Sequence, residues 1–168
     1  MNKNDLRYIK TENTILSTYL TLLQKKQSPV TVTELCKTAL INKSTFYAHY
    51  ETINDLHAAI CCKKIHEIFS ACDSDITLFF SDTKACIEAI FDQFSRHRDD
   101  LALLFPNWMD MISPLETELV SIYENIGISN DQKNTLRFCI GGILHLMSTK
   151  DAPDYEDAVI TLSQKCIS

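Results

Sequence analysis

The sequence predicts an all-α protein, and three observations support that prediction. Only 3 of the 168 residues are glycine and 4 are proline, so the residues that usually separate short strands are scarce. Hydrophobic residues make up 45% of the chain, which is enough for a sizeable core. Apolar residues also recur at spacings of three and four, which is the pattern of amphipathic helices.

The stretch between residues 31 and 50 predicts two short helices joined by a tight turn. Thr31 and Glu34 have the spacing of a capping box, which satisfies free amides where a helix begins. Val30 and Leu35 are placed to form the accompanying hydrophobic staple. We therefore expect the first helix to begin at Thr31 and to end near residue 39.

The second helix of this pair carries an unusual set of side chains. We expect Asn42 to cap it, and Phe46 and Tyr50 to form its buried stripe. The residues between them are then expected to face outward, because successive side chains on a helix point in different directions. These residues offer hydrogen-bond donors and no carboxylate, which is what binding in a phosphate-lined groove requires.

Residues 42–50 read Asn-Lys-Ser-Thr-Phe-Tyr-Ala-His-Tyr, and Asn-Asp-Leu follows at 54–56. This stretch resembles the recognition-helix signature of TetR/AcrR-type transcriptional regulators. The resemblance covers roughly the first third of the chain. Ile53 stands where the family usually has a lysine, which removes one expected phosphate contact. Leu40 stands where the family has the glycine of the turn, so we expect this turn to avoid a positive φ.

The resemblance implies a two-part, homodimeric protein. Residues 1–51 would form a three-helix helix-turn-helix DNA-binding head, and residues 52–168 a helical effector-binding and dimerisation body. The implied function is that of a ligand-responsive transcriptional regulator, most often a repressor. Such a protein binds double-stranded DNA at a pseudo-palindromic operator and is released by a small apolar effector. The helix that opens at Thr52 would link the head to the body.

Seven residues of the head are the expected DNA contacts. Hydroxyl groups near the start of the first helix of the pair suit a phosphate. Lys43 and Thr45 are the residues expected to touch base edges, because the N-terminal part of such a helix lies deepest in the major groove. The full set is Thr31, Thr33, Lys43, Ser44, Thr45, Tyr47 and His49.

The charge distribution fits the same interpretation. The chain has a formal net charge of −6, yet residues 1–64 carry +4 and the remainder carries −10. A basic N-terminal part followed by an acidic remainder suits a protein that binds the phosphates of a nucleic acid through its N-terminal part alone. Residues 11–26 predict the first helix of the head. Residues 1–10 predict a polar arm that either enters a minor groove or is frayed.

The rest of the chain predicts further helices. They are expected at residues 52–71, 82–94, 114–126, 131–147 and 155–166, with short helical pieces at 76–80 and 101–105. Aromatic and methionine side chains in this part predict either plain core or the lining of an apolar effector pocket. The pocket set is Phe69, Phe91, Phe94, Trp108, Met109 and Met111.

The last two helices are the dimer interface that the resemblance implies. Gly141 and Gly142 lie in the middle of one of them, where each costs about 1 kcal/mol relative to alanine. Such glycines are tolerated where another backbone approaches closely. That backbone belongs either to the partner subunit or to a neighbouring helix of the same subunit. The interface set is Ile140, Gly141, Ile143, Leu144, Val159 and Leu162.

Two alternative functions stay open. Ile53 and the acidic balance are compatible with a head that binds another protein as a coactivator. His57 with Cys61, and Cys62 with His66, lie four residues apart and share helix faces, which is compatible with a redox or metal sensor. One helix cannot present both pairs to a single ion, because successive residues differ by about 100° around its axis.

Other classes of protein are not indicated. Seven cysteines without Cys-x-x-Cys spacing predict reduced thiols rather than a disulfide framework or a zinc finger. The sequence shows no catalytic triad and no pair of carboxylates that would predict an enzyme. It also shows no motif for binding a cofactor or a metal. The N-terminus is polar and no apolar run reaches transmembrane length, so we expect a cytoplasmic protein with no membrane partner.

Overall fold

The computed structural model of the chain describes residues 5–25, 29–71, 78–148 and 155–167. Every regular element in these segments is a helix, with no strand among them, so the all-α prediction is confirmed for the described residues. The α-helices are α1 (Leu6–Lys25), α2 (Val32–Thr38), α3 (Lys43–Tyr47), α4 (Ile53–Ala71), α5 (Leu78–Ser81), α6 (Thr83–Arg96), α7 (Arg98–Leu104), α8 (Ile112–Ile126), α9 (Asn130–Ser148) and α10 (Tyr155–Ile167), with a 3₁₀ turn at Trp108–Met111.

None of the helices in the described segments is both long enough and apolar enough to cross a membrane. Residues 1–4 of the predicted arm and residues 76–77 of the predicted helical piece lie outside the described residues.

The chain forms two compact units, unit 1 (Met1–Ile60) and unit 2 (Cys61–Ser168). The division falls inside α4, whose first residues belong to unit 1 and whose remaining residues belong to unit 2. The sequence prediction places the boundary between residues 51 and 52, just before this helix. The difference arises because the start of α4 contributes Leu56 and Ile60 to the buried part of unit 1.

Unit 1 is built around a small core that α1 helps to close. Ile15, Leu35, Phe46 and Leu56 are each fully buried there. The hydroxyl of Tyr19 on α1 also hydrogen-bonds Nδ1 of His57 on α4, with 3.0 Å between the two atoms. The first four helices are therefore held together by apolar packing and by at least one polar contact.

Helix α1 begins earlier than the sequence predicts. The expected start is residue 11, but the helix starts at Leu6. Asp5 makes this start possible, because its Oδ1 accepts a hydrogen bond of 2.9 Å from the amide of Arg7. Tyr8 is buried one turn into the helix, so the segment predicted as a polar arm contributes an aromatic ring to unit 1.

Side-chain caps begin α2 and α4 but not α3. The hydroxyl of Thr31 accepts a hydrogen bond of 3.3 Å from the amide of Glu34, which starts α2. At the start of α4, the Thr52 amide donates to Asp55 Oδ2 at 2.8 Å, and the Thr52 hydroxyl accepts from the Asp55 amide at 3.1 Å. Asn42 occupies the cap position of α3, but its side chain makes no capping hydrogen bond, so that detail of the prediction is wrong.

Unit 2 consists of helices packed around a larger core. Helix α6 packs against α5 and α10, and α9 packs against α8 and α10. Their inward side chains form one cluster of buried residues: Phe79, Cys86, Ile87, Phe91, Leu119, Leu136, Cys139, Val159 and Ile160. Gly127 follows α8 with a φ of +65°, a left-handed conformation that glycine adopts easily at the end of a helix.

Candidate nucleic-acid interface and ligand cavity

The turn between α2 and α3 contains a left-handed residue that is not glycine. Leu40 has a φ of +55°, so the expectation that this turn avoids a positive φ is wrong. The Ile41 amide, one residue further on, donates a hydrogen bond of 3.0 Å to the carbonyl of Cys36, which fixes the tight turn. Leu40 is also 91% exposed. The geometry of the turn is therefore kept although its residue type is unfavourable.

Helix α3 presents several of the predicted contact residues to solvent. Lys43 and Ser44 are exposed in its first turn, and Thr45 is half-buried. Tyr47 is 55% exposed, while Phe46 beside it is fully buried. Phe46 thus anchors the helix in the core of unit 1, and Lys43, Ser44 and Tyr47 face outward, as predicted.

The start of α2 adds two hydroxyl groups. Thr31 and Thr33 are both exposed. The Thr31 oxygen accepts the capping hydrogen bond from Glu34, so its own O–H is left to donate outward. Thr31 therefore has a structural role that does not prevent a phosphate contact.

His49 does not lie on the exposed face, and the structure corrects its assignment as a DNA contact. Its ring stacks on Tyr8 of α1, with 3.8 Å between the ring centroids and 23° between the planes. Both ring nitrogens are buried without a hydrogen-bond partner. Burial lowers the pKa of the His49 imidazole, and the nearby charge of Glu12 opposes that effect. His49 therefore packs as a neutral aromatic ring.

Tyr50 is likewise part of the packing of unit 1. Its hydroxyl donates a hydrogen bond of 2.9 Å to Oε1 of Glu12 on α1. Burial raises the pKa of the Tyr50 hydroxyl, and the carboxylate of Glu12 raises it further. Tyr50 thus joins the segment after α3 to α1, in agreement with its predicted place in the buried stripe.

Unit 2 contains an apolar cavity. Its volume is about 70 Å³. Of the six residues predicted to line an effector pocket, Phe69, Phe91 and Phe94 line this cavity. The other lining residues are Phe79, Cys86, Ile87, Ile90, Leu115, Leu119, Leu136, Ile140, Ile143 and Leu144.

The other three predicted pocket residues lie elsewhere in unit 2. Trp108, Met109 and Met111 belong to the 3₁₀ turn and are not among the residues that line the cavity. Met111 is fully buried, Trp108 is half-buried and Met109 is exposed. The structure corrects their assignment, because a short turn before α8 directs each of these side chains differently.

The residues predicted for a dimer interface mostly face the core of their own subunit. Leu144 and Val159 are buried, and Ile140 and Ile143 pack against the same core cluster. Three of these four also line the cavity. Leu144 and Val159 are therefore core residues of their own subunit. Leu162 differs, because it is 53% exposed on α10.

The outward face of α9 carries an aromatic residue that the sequence interpretation missed. Phe138 is 73% exposed, and a Cβ atom added at Gly141 or Gly142 would meet nothing within 4 Å. No described part of the chain thus approaches the backbone of these glycines. On a helical wheel, Phe138 lies about 130° from the mean direction of Leu136 and Cys139, so a wheel centred on those two core residues would have indicated its outward position.

The proposed Cys/His sensor residues are engaged in other contacts. The Cys61 thiol donates to the carbonyl of Leu104 at 4.0 Å, and burial raises its pKa to about 12, so it is protonated at neutral pH. Nδ1 of His66 lies 2.9 Å from a carboxylate oxygen of Glu118. No group of three or more metal-binding side chains occurs among the described residues.

The chain was also compared with known proteins. No family model, no protein of known function and no solved structure matches it.

Proposed function

We propose that the protein is a ligand-responsive, DNA-binding transcriptional regulator that acts as a homodimer. One observation carries the proposal. Helix α3 follows a tight turn, is anchored by the buried Phe46, and presents Lys43, Ser44 and Tyr47 on its exposed side. A short helix that is fixed on one side and rich in donors on the other suits the major groove of DNA.

In this proposal each exposed group has a distinct task. The hydroxyls of Thr31 and Thr33 bind phosphate oxygens, which position the protein on the duplex, and Lys43 and Thr45 contact base edges. Ser44 and Tyr47 offer hydroxyl donors and acceptors to base edges or to the backbone. The net charge of +4 on residues 1–64 adds a general attraction for DNA that salt weakens.

The cavity of unit 2 supports the ligand-responsive part of the proposal. Its described lining consists of phenylalanine and aliphatic side chains with one thiol. An uncharged apolar effector suits this lining, because a charged group would lose its hydration without gaining a partner. In the proposed mechanism, the bound effector favours conformations in which the protein releases DNA, as the TetR/AcrR resemblance implies.

The homodimer is supported by the surface of α9. Phe138 offers an apolar side chain, and the two glycines beyond it leave the helix backbone open to a second helix. A two-fold dimer would place two copies of α3 about 34–36 Å apart, one turn of the duplex, and would bind a pseudo-palindrome. A repressor is the form of this function that the resemblance implies most directly.

DNA binding is tested by fluorescence anisotropy with duplex DNA from the region upstream of the protein's own gene. We expect tight binding that weakens by about 100-fold or more between 50 mM and 200 mM salt. Lys43→Ala should weaken binding about tenfold or more. Tyr47→Phe, which removes one hydroxyl, should weaken it about threefold to tenfold.

Lys84→Ala is the matched control for the lysine substitution. Lys84 is an exposed lysine of unit 2, where it is ion-paired with Glu88 at 3.7 Å, so its loss should leave DNA affinity unchanged. Weak binding that is indifferent to salt and equal in all variants would refute the proposal.

A second candidate is a head that binds another protein. The observation that favours it is Leu40, a large apolar side chain that is 91% exposed beside α3. If the anisotropy experiment fails, Leu40 and Tyr47 define the surface on which a partner protein should be sought. Loss of partner binding in Leu40→Ser would then support this candidate.

A further inference from the structure

Three polar side chains of unit 2 are joined by hydrogen bonds between α4 and α8. His66 and Ser70 lie one turn apart on α4, and Glu118 lies on α8. Nδ1 of His66 is 2.9 Å and 3.1 Å from the two carboxylate oxygens of Glu118. Nε2 of the same ring is 3.4 Å from the hydroxyl oxygen of Ser70. The imidazole thus lies between a carboxylate and a hydroxyl group.

This arrangement determines which ring nitrogen carries the proton when His66 is neutral. A carboxylate only accepts hydrogen bonds, so Nδ1 of His66 donates to Glu118. The lone pair of Nε2 then faces Ser70, whose O–H donates to it. In hydrolases that use a serine nucleophile, the same order of groups lets the imidazole take the hydroxyl proton.

The sequence interpretation missed this group of three residues because its members are distant in sequence. Glu118 is 52 positions from His66, and only the tertiary fold brings its carboxylate to the second ring nitrogen. His66 and Ser70 alone have the ordinary spacing of neighbours on one helix face, which predicts nothing about a third group.

The three side chains differ in their contact with solvent. The Glu118 side chain is 16% exposed, so its carboxylate is largely shielded from competing water. The His66 side chain is 65% exposed, and Ser70 is exposed as well. Ile65 and Ile68 are fully buried and fix the inward side of this part of α4. A molecule from solvent can therefore reach the Ser70 hydroxyl while the imidazole is held in place.

We propose that Ser70 is a nucleophile that takes acyl groups from activated esters, which the protein thereby hydrolyses. His66 is the general base of this activity, and Glu118 is the residue that positions the imidazole. Both reacting side chains are exposed, so the substrate is not enclosed and its leaving group must depart with little assistance. Aryl esters suit such a site, because their phenol leaving groups are weakly basic. This inference does not depend on DNA or effector binding.

The hydrolysis of an aryl acetate proceeds in two balanced steps. The Ser70 oxygen attacks the carbonyl carbon of the ester, and its proton passes to Nε2 of His66. The bond to the phenol oxygen then breaks, and the phenol leaves with that proton. Water next attacks the acetyl group on Ser70 and gives a proton to Nε2. The bond between the acetyl carbon and the Ser70 oxygen breaks, Ser70 takes back the proton, and acetic acid leaves.

The test uses the full-length protein and 4-nitrophenyl acetate. The absorbance of the released 4-nitrophenol gives the rate above that of buffer alone. A second sample is stopped with acid during turnover and digested with trypsin. Cleavage after Lys64 and Lys84 gives peptide 65–84, which contains Ser70. We expect this peptide to gain one acetyl group, which fragmentation in the mass spectrometer locates on Ser70.

Two substitutions remove the reacting groups one at a time. Ser70→Ala and His66→Gln should each lower the rate about tenfold or more. Both positions are exposed, so the Tm of each variant should equal that of the unsubstituted chain. Ser95→Ala and His145→Gln are the matched controls at exposed positions of unit 2, and both should leave the rate unchanged.

Glu118→Gln tests the positioning role. The amide keeps the size of the side chain but loses the negative charge that stabilises the protonated imidazole during the reaction. We expect kcat to fall about tenfold while KM stays unchanged, because Glu118 contacts His66 and not the ester. If Glu118 were only a structural partner of His66, kcat would stay unchanged in a variant with an unchanged Tm.

Any of three results overturns the inference. The first is a rate no higher than that of buffer alone. The second is an equal rate in Ser70→Ala and in the unsubstituted chain, because the imidazole alone would then hydrolyse the ester. The third is acetylation of lysine or cysteine residues while Ser70 stays unmodified.

Discussion

Leu40 is the residue whose backbone conformation is least suited to its side chain. A left-handed φ costs an ordinary residue about 1–2 kcal/mol, and the 91% exposed side chain gains little packing in return. Leu40→Gly removes this strain but makes the unfolded chain more flexible, at a cost of about 0.5–1 kcal/mol. We expect a net stabilisation of about 0.5–1 kcal/mol, measured by denaturant unfolding.

Leu40→Ala is the control for this substitution. Alanine retains a Cβ atom and hence the strain at φ +55°, so its free energy of unfolding should stay close to that of the unsubstituted chain. Equal stability of the glycine and alanine variants would show that the turn is not strained.

His49 gives the stability of unit 1 a dependence on pH. Its pKa is lowered in the folded state, so the unfolded chain takes up the proton first as the pH falls. The contribution of His49 to the free energy of unfolding is fully present above about pH 6.5, the ordinary pKa of histidine. It is lost as the pH falls towards the pKa that His49 has in the folded state. His49→Phe should reduce the difference in Tm between pH 7.5 and pH 5.5.

The same variant should also be more stable at neutral pH. Phenylalanine keeps an aromatic ring against Tyr8 and removes two buried nitrogens that have no partner, for a gain of about 1 kcal/mol. His97→Gln, a substitution in unit 2, is the control variant. Its Tm should differ between pH 7.5 and pH 5.5 by as much as that of the unsubstituted chain. An unchanged pH dependence in His49→Phe would contradict this account of His49.

At the scale of helices, the sequence predicts where each helix begins better than it predicts which face of the helix is buried. The capping pairs at Thr31 and Thr52 fix the starts of α2 and α4, because both signals are local. The start of α1 is missed because its anchor, Tyr8, stacks on a residue 41 positions later. Such a contact depends on the tertiary fold and leaves no periodic pattern in a charged segment.

The same limit applies to the candidate sites. Exposed donors on α3 follow from the helical repeat around Phe46, so the exposure of Lys43, Ser44 and Tyr47 is predicted from the sequence. His49 is missed because another helix covers it. On α9, apolar residues such as Ile143 and Leu144 read equally well as core or interface, since both environments are apolar, and only packing distinguishes them.

The outward face of α9 makes a prediction about association. Phe138→Ser should raise the dimer dissociation constant about tenfold or more, because exposed aromatic residues at an interface contribute strongly to binding. The Tm of the isolated subunit should not fall, because Phe138 is 73% exposed. Light scattering after size-exclusion chromatography over a range of concentrations measures the effect.

Val120→Ser is the matched control for that measurement. Val120 is another exposed apolar residue of unit 2, on α8, and its substitution should leave the dissociation constant unchanged. If Phe138→Ser and the unsubstituted chain associate equally, α9 is not the interface.

At the scale of the whole molecule, composition and helical periodicity predict an all-α chain, and the described residues confirm it. The sequence places the division between the two parts before α4, because a cap and a turn mark that point. Contacts place it within the helix, between Ile60 and Cys61. The sequence signal marks the end of a helix, whereas a compact unit ends where packing ends, and the two need not coincide.

The continuous helix α4 restricts how this protein can exchange parts with other proteins. A recombination event before residue 52 would give the recipient a head without Leu56 and Ile60, two residues that unit 1 buries. A viable crossover must instead fall inside α4. The two parental sequences must then have the same helical register at the point where they are joined. Functional chimeras should therefore arise only from parents whose α4 helices align without insertion or deletion, and the inherited module is the head together with the first two turns of α4.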